Sequence, residues 1–219
     1  TGRSLMQAVQ GLVDARFPIL PDYIIARERE IYLPNKFGRW VRSEDWNKRC
    51  EREHHKLFRQ CRKVLKKLEQ WVEAETAAVW GIQKEEPAGI VASTASEMDM
   101  IVGKIDEEIE SKAALSYQRN GIYLRFSHKH FHKGTAMLEV ARLMGLTNQH
   151  AFAIGDSHND LDMLSPEMAG LLACPANACA EVKLQVQSSG GYVAMGEASK
   201  GVVEALEALF ADQKKASEL

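Results

Sequence analysis

The sequence predicts an α/β protein with a parallel sheet flanked by helices and a second, inserted α+β segment. Two observations carry this prediction. Between residues 134 and 210, helix-like and strand-like patterns alternate, which is typical of a parallel sheet covered by helices. Between residues 42 and 126 the order is helix, strand, helix and hairpin, which forms a small unit of its own. We therefore expect two structural parts.

Composition limits the classes of function. With 219 residues and 45% apolar residues, the chain can bury the core of one large or two small domains. The net charge of −2 argues against a general role in binding nucleic acid or membrane. No apolar run approaches the ~18 residues that span a membrane. We expect a cytoplasmic protein without nucleic-acid or membrane partners.

The four cysteines show neither a C-x-x-C pair nor a metal-like spacing with histidine. We expect them to be reduced, mostly buried thiols of a cytosolic protein. They are Cys50, Cys61, Cys174 and Cys179.

The first elements precede residue 45. Ser4 is a candidate helix cap, because apolar residues from Leu5 to Val13 recur at helical spacing. Residues 22–26 form a short apolar strand candidate, and residues 27–45 look like a strand, a turn at Asn35 and a returning strand. This region is a candidate hinge between two domains.

Residues 45–78 have the pattern of one long amphipathic helix, with apolar residues from Trp46 to Trp71 at heptad-like spacing. Its other faces are rich in lysine and arginine. They could form a patch for phosphate or nucleic acid, or simply a solvated face; the lack of interleaved aromatic residues favours the solvated face.

Three elements follow in the inserted segment. Residues 89–93 read as a strand, and residues 96–110 as a helix capped by Ser96. The strand patterns around Arg119-Asn120-Gly121 predict a hairpin.

Histidine alternates with other residues at His128, His130 and His132, just before Lys133 and Gly134. This spacing suits metal ligands only on a strand, and no cysteine or carboxylate interleaves, so we do not favour zinc here. Lys133 precedes a helix predicted over residues 135–145. There its ammonium and the backbone N–H groups would point towards an anion.

The central motif is G-D-S-H-N-D at residues 155–160, which follows the apolar strand candidate 151–154. Asp156 lies where this strand ends, and Asp160 follows four residues later, so both carboxylates can face one point if a helix begins near Asn159. Two such carboxylates suit Mg²⁺. A turn followed by a helix cap would leave the same pattern.

The remaining elements complete the alternation. We expect strands at 170–174 and 190–194, and helices at 179–186 and 202–210.

Three segments occur in a fixed order: T-G-R-S at residues 1–4, Lys133-Gly134, and G-D-S-H-N-D at residues 155–160. Together they resemble motifs two, three and four of the haloacid dehalogenase-like (HAD) hydrolases. The long insertion is similar to the subfamily with a large α/β cap, and the start of the chain looks most like the sucrose-phosphatase and sugar-phosphatase group. Arg27-Glu28-Arg29 replaces a small, glycine-containing stretch expected in that group.

The resemblance implies the fold in more detail. It implies a Rossmann-like parallel sheet core at residues 1–41 and 127–219, lacking its first strands in this chain. It also implies an α+β cap at residues 42–126 that closes over a sugar.

The resemblance further implies a phosphatase that uses Mg²⁺. An aspartate nucleophile would attack the phosphoryl group, and water would hydrolyse the aspartyl-phosphate. Asp156 would bind Mg²⁺, with Asp160 helping to hold it. Lys133 would neutralise charge on the nucleophile and the phosphoryl group.

The other site residues implied by the resemblance bind the substrate. Thr1, which is also a catalytic candidate, and the amide of Gly2 would hydrogen-bond a phosphoryl oxygen. Arg3 and Lys133 complete the phosphate-binding set, and Asn159 would orient the loop and the substrate. The partner implied is a small phosphorylated metabolite.

The sequence departs from the family at the first motif, D-x-D-x-[TV], which should supply the nucleophile and is absent. Asp14 lies in a predicted helix and Asp22 begins a predicted strand, so neither replaces it. We expect these 219 residues to be the remainder of a longer polypeptide and to be inactive alone.

Two other functions remain open. A non-catalytic binding or regulatory module would keep the fold and the cation site without the nucleophile, and phosphate release distinguishes it from a phosphatase. A nucleic-acid-associated protein would use the basic helix and bind with steep salt dependence. The sequence determines neither the substrate nor the oligomeric state. Four cap residues are candidates to face the substrate: Gln83, Lys84, Arg119 and Tyr123.

Overall fold

The computed structural model describes residues 1–81, 88–112 and 114–217, with side chains through residue 209. The described helices are α1 Leu5–Asp14, α2 Glu44–Glu75, α3 Ala95–Ile109, α4 Lys133–Leu143, α5 Ala180–Ser188 and α6 Ala198–Ser217, with 3₁₀ helices at Asn148–His150 and His158–Met163. The strands are β1 Ile24–Ala26, β2 Glu30–Pro34, β3 Trp40–Arg42, β4 Val79–Gly81, β5 Gly89–Val91, β6 Leu115–Asn120, β7 Tyr123–His128, β8 Phe152–Ile154, β9 Leu171–Cys174 and β10 Tyr192–Val193.

The chain divides into two compact units, Thr1–His132 and Lys133–Leu219. Residues 1–41 therefore lie in the same unit as residues 42–126. The assignment of residues 1–41 and 127–219 to a core and 42–126 to a cap stays a prediction.

The first unit begins with α1 and a three-stranded antiparallel sheet in the order β1-β2-β3. Ser4 caps α1 as predicted, in a capping box with Gln7. The predicted turn at Asn35 joins β2 to β3, where the Asn35 side chain accepts hydrogen bonds from the N–H groups of Phe37 and Arg39.

The predicted long helix is α2, and its buried start contacts the three-stranded sheet. Asn47 Oδ1 accepts a hydrogen bond from Ile31 N, and its Nδ2 donates to Ile31 O, each at 3.0 Å. Trp46 Nε1 donates to Arg29 O at 2.7 Å. This end of α2 is thus attached to β2 through hydrogen bonds that resemble strand pairing.

The rest of α2 and α3 cover one face of a four-stranded antiparallel sheet in the order β4-β5-β7-β6. Leu68 of α2, Ile101 of α3 and Phe126 of β7 are almost fully buried in the resulting core. The hairpin between β6 and β7 turns at Gly121, which has φ +59°. The predicted helix, strand, helix and hairpin are present in this order, with the additional strand β4 between α2 and β5, and Thr94 caps α3 in place of Ser96.

Several cations of α2 pair with nearby carboxylates. Lys48 contacts Glu44 at 2.6 Å, and Lys67 contacts Glu108 at 2.7 Å. These ion pairs favour a solvated face of α2 over a patch that binds phosphate or nucleic acid, because they reduce the positive charge that a polyanion could contact.

The second unit contains a parallel sheet in the order β10-β9-β8, with helix α5 connecting β9 to β10. Ala153, Leu172 and Val182 lie in its core. The α/β class with a parallel sheet flanked by helices is therefore confirmed. In the described part of the chain, no helix is both long and apolar enough to span a bilayer.

Candidate active site

The candidate site lies in the second unit, where β8 ends and the loop of residues 155–160 begins. The amide of Gly155 is 3.4 Å from the carbonyl oxygen of Ala173, next to the last β8–β9 pair. The carboxyl ends of parallel strands commonly form the ligand crevice of an α/β fold. This is where the sequence predicted Asp156.

Gly155 is required because the side chain of Asp160 folds back over it. A Cβ atom at Gly155 would lie 2.4 Å from the Cβ of Asp160 and 2.6 Å from its Cγ. A larger residue would therefore displace the Asp160 carboxylate from the loop.

The carboxylate of Asp160 connects the loop to α4. Its Oδ2 accepts hydrogen bonds from the amides of Asp156 at 3.0 Å and Ser157 at 3.1 Å. Its Oδ1 accepts one from Lys133 Nζ at 2.6 Å. The two side chains are buried, with exposed fractions of 9% for Asp160 and 11% for Lys133. The pair is thus a charge-assisted contact largely withdrawn from water.

Lys133 is the first residue of α4. The sequence predicted that this helix begins two residues later, at residue 135. Gly134 permits close packing, because a Cβ there would lie 2.4 Å from the carbonyl oxygen of Asp162. Helix α4 can therefore approach the 3₁₀ helix closely enough for Lys133 to contact Asp160.

Asp156 and Asn159 occupy different environments. The Asp156 side chain is exposed, while its carbonyl oxygen accepts a hydrogen bond from Cys179 N at 3.0 Å. Asn159 is buried in the 3₁₀ helix that begins one residue before it. The predicted helical turn near Asn159 is present, as a 3₁₀ helix.

The oxygen atoms of this loop suit a hard cation. Asp156 presents an exposed carboxylate, which fits a Mg²⁺ ligand. A carboxylate offers about four lone-pair sites, and the hydrogen bonds described occupy three of them on Asp160. Asp160 therefore has room for one further contact, through Oδ1. The metal-ligand roles of both aspartates stay predictions.

The predicted phosphate-binding segment, Thr1 to Arg3, lies in the first unit beside the turn after β1. Glu28 N donates to Thr1 O and Arg27 N donates to Arg3 O, each at 2.9 Å. A Cβ at Gly2 would lie 2.6 Å from Glu28 Oε1, so a larger residue there would displace the end of the Glu28 side chain. The roles of Thr1, Gly2 and Arg3 in binding phosphate stay predictions.

His128, the first of the three histidines before Lys133, has two hydrogen bonds. Its Nδ1 accepts one from His130 N at 3.1 Å, and its backbone N donates one to His54 Nε2 at 3.1 Å. These bonds give His128 a structural role.

Sequence reasoning missed Gln118 of β6. It is 7% exposed, and neither its Oε1 nor its Nε2 has a hydrogen-bond partner among the described residues. Gln118 pairs with Arg125 of β7, and Arg125 pairs with Gly89 of β5. These three residues lie on one face of the sheet, and Ile90 and Leu124 lie on the opposite face, which packs in the core. The alternation of β6 could have indicated this face, but only strand pairing identifies its neighbours.

Two of the four residues predicted to face the substrate lie in the described part of the chain. Arg119 forms an ion pair with Asp99 at 2.6 Å, and Tyr123 is exposed. Gln83 and Lys84 lie outside the described residues.

The fold belongs to the α/β class, with a parallel sheet in the second unit and an α+β segment in the first. The sequence profile of the haloacid dehalogenase-like hydrolases matches residues 7–206. The chain belongs to this family.

Comparison with solved structures agrees on the fold. Sucrose-phosphatase from Synechocystis sp. PCC6803, solved with sucrose and phosphate, superposes with a TM-score of 0.72 at 18% identity over 96% of this chain and 82% of that one. A HAD subclass IIB sugar phosphatase superposes with a TM-score of 0.58 at 13% identity over 95% and 83% of the two chains.

Among characterised sequences, a phosphoglycolate phosphatase of Methanoculleus marisnigri is 37% identical over 78 residues. The alignment covers 36% of this chain and 31% of that protein. The chain thus spans about a third of the length of the curated relatives it matches.

Proposed function

We propose that the protein containing these residues is a Mg²⁺-dependent phosphatase that hydrolyses a phosphomonoester of a sugar or similar small metabolite. The observation that carries the proposal is the buried Lys133–Asp160 pair, with its 2.6 Å contact, in the loop that presents the exposed Asp156. A fixed ammonium beside a carboxylate loop suits the binding and transfer of a phosphoryl group. We place this activity in the cytoplasm.

Each residue of the loop has a distinct task in this proposal. Asp156 would hold Mg²⁺, which supplies charge neutralisation of the phosphoryl oxygens when bound. Asp160 holds the amides of Asp156 and Ser157 and keeps the Lys133 ammonium in place. Lys133 would in turn stabilise negative charge on the phosphoryl group and on the aspartate that attacks it.

The substrate class rests on the relatives. Those described above are named for activity on sugar phosphates or on phosphoglycolate.

A non-catalytic binding module is the second candidate, and one observation favours it. The 219 residues contain no D-x-D-x-[TV] motif to supply the nucleophile. The phosphatase proposal therefore requires the nucleophile to come from outside these residues.

The test measures phosphate release from a panel of sugar phosphates and from phosphoglycolate, with Mg²⁺ and with EDTA. It compares the native gene product, whose intact mass and upstream coding sequence are determined first, with the 219-residue chain. We expect the native product to turn over only with Mg²⁺, and the 219-residue chain to be inactive. Substitution of Asp156→Asn or Lys133→Met should lower kcat about 100-fold or more.

The matched controls are Glu167→Gln and Lys129→Met, both of exposed residues outside the loop. They should leave kcat unchanged. Turnover that survives Asp156→Asn would contradict the proposed mechanism. Binding of phosphomonoesters without turnover by the native product would establish the binding module instead.

A further inference from the structure

Three side chains with different metal-binding atoms converge at the start of α5. They are His158, Cys179 and Glu181, whose ring nitrogen, thiol sulfur and carboxylate oxygen all lie within 4.8 Å of one another. His158 Nε2 is 3.5 Å from Glu181 Oε2. The sequence analysis found no metal-like spacing between cysteine and histidine, because these residues are distant along the chain and meet only in the fold.

The backbone holds these groups together. Cys179 is the residue that precedes α5, and Glu181 lies in the first turn of that helix. His158 begins the 3₁₀ helix of the neighbouring loop. The hydrogen bond from Cys179 N to Asp156 O, at 3.0 Å, attaches one segment to the other. The cluster therefore belongs to ordered backbone on both sides.

An ordinary surface contact accounts for only part of the cluster. A carboxylate in the first turn of a helix and its ion pair with histidine are common stabilising features. Cysteine, however, is not among the residues favoured at the position before a helix, where serine, threonine, aspartate and asparagine predominate. The thiol is also partly accessible, unlike Cys174, which is fully buried. The cluster thus places a partly accessible sulfur beside a histidine and a carboxylate.

The set of donors indicates the class of ligand. Zinc and similar borderline-soft cations bind combinations of cysteine sulfur, histidine nitrogen and carboxylate oxygen, whereas Mg²⁺ takes oxygen ligands. Three protein ligands leave a position for water.

We propose that His158, Cys179 and Glu181 form a site for a borderline-soft divalent cation such as zinc. The site is distinct from the Mg²⁺ centre proposed at Asp156, although the Cys179–Asp156 hydrogen bond connects the two. It goes beyond the proposed phosphatase function, and its test does not use catalysis.

The test titrates the 219-residue chain with Co²⁺ in excess Mg²⁺ and records the thiolate-to-cobalt charge-transfer absorption. Oxygen ligands do not produce this absorption, so it separates the site from the carboxylates of the loop. We expect one equivalent of Co²⁺ to bind and zinc to displace it. Cys179→Ser should abolish the absorption, and His158→Gln and Glu181→Gln should each weaken affinity about tenfold or more.

The matched controls are His55→Gln, an exposed histidine on α2, and Cys61→Ser, a thiol in the first unit. Both should bind Co²⁺ like the unaltered chain. Circular dichroism without metal checks the fold of each variant. If Cys179→Ser does not fold, the other two variants decide, because Glu181 is exposed and His158 is only partly buried.

Two results would overturn the proposal. Absorption that is absent from the unaltered chain, or that persists in Cys179→Ser, would show that this thiol binds no such cation. Unchanged affinity in both His158→Gln and Glu181→Gln would show that the thiol binds metal without the other two groups.

Discussion

At the scale of single residues, backbone strain is found at non-glycine residues with positive φ. In the described part of the chain these are Arg16, Arg27, Glu28 and Ala198. Arg27 and Glu28 form the turn between β1 and β2, with φ of +47° and +67°. They occupy the stretch where the related sugar phosphatases were expected to have glycine. The turn therefore has a backbone conformation that favours glycine, although Arg27 and Glu28 occupy it.

Arg16 allows the strain at one such position to be measured. It ends α1 in a Schellman motif, in which Phe17 N donates to Leu12 O at 3.0 Å and Arg16 N to Val13 O at 2.9 Å. Since Arg16 is exposed with φ +48°, Arg16→Gly should raise the free energy of unfolding by about 0.5–1 kcal/mol. Urea unfolding followed by tryptophan fluorescence measures it.

The control for Arg16→Gly is Arg59→Gly, an exposed position inside α2. There glycine should lower the free energy of unfolding by about 1 kcal/mol. A loss of stability in Arg16→Gly would show that the positive φ costs less than the added freedom of glycine in the unfolded chain.

The Lys133–Asp160 pair gives a second prediction at this scale. Lys133→Met leaves a buried carboxylate without its ammonium, so stability should fall by about 3–5 kcal/mol. Adding Asp160→Asn removes the unpaired charge and should restore part of the loss. Calorimetric unfolding of the single and double variants measures the coupling.

An exposed pair supplies the control for this cycle. Lys48→Met breaks the contact with Glu44, whose side chain is 64% exposed, and should leave stability nearly unchanged because water screens the pair. If the double variant is as unstable as the sum of the two single variants, Lys133 and Asp160 are not energetically coupled.

At the scale of elements, α2 is the longest helix described and contacts two sheets of its unit. Its first turns bond to β2 through Asn47, and its later turns cover the four-stranded sheet through residues such as Leu68. An amphipathic stripe explains the second contact. The first depends on a polar residue that is only 1% exposed, which a pattern of apolar residues does not identify.

Asn47 therefore yields a prediction for the junction of α2 and β2. Asn47→Ala should lower the free energy of unfolding by about 1–3 kcal/mol, because it leaves the buried N–H of Ile31 without its partner, while Ile31 O keeps the hydrogen bond from Ser43 N. Gln60→Ala, exposed on the same helix, should change it by less than about 0.5 kcal/mol. Equal effects of the two substitutions would contradict the structural role of Asn47.

At the scale of the whole molecule, buried imidazoles couple stability to pH. His54 Nδ1 is 2.8 Å from Cys50 O, and His54 Nε2 accepts a hydrogen bond from His128 N at 3.1 Å. These partners suit the neutral ring with its proton on Nδ1. Burial, reinforced by the charge of Arg29, lowers the pKa of His54 from 6.5 to about 3. Burial also lowers the pKa of His128.

The sign of the pH effect follows from proton uptake. Between pH 6.5 and about 3, the unfolded chain protonates His54 and the folded chain does not. Falling pH therefore favours unfolding, by up to about 1.4 kcal/mol per pH unit from this group. All four tryptophans lie in the Thr1–His132 unit, so their fluorescence in urea reports this unit.

The pH series compares the unaltered chain with His54→Gln and with His55→Gln, a change at an exposed histidine. His54→Gln should flatten the decline of stability below pH 6.5, and His55→Gln should retain it. The same pH slope in all three proteins would refute the assignment of His54 as the titrating group.

Most of the elements and much of the central loop could be predicted from the sequence, although β4 and the 3₁₀ helix Asn148–His150 could not. The helical spacing of apolar residues located α1 and α2, and the turn residues before and at Gly121 located the hairpin. These features depend on residues close together in the chain. The motif around Asp156 and the helix start at Lys133 could be predicted for the same reason.

Only the tertiary structure decided which distant residues meet. It placed Lys133 against Asp160, Asn47 against Ile31, and Cys179 beside His158. These contacts depend on strand pairing and on how closely two backbones approach, as at Gly134, where the missing Cβ leaves the space. Such proximity leaves no periodic trace in the sequence, since each residue alone is compatible with many partners.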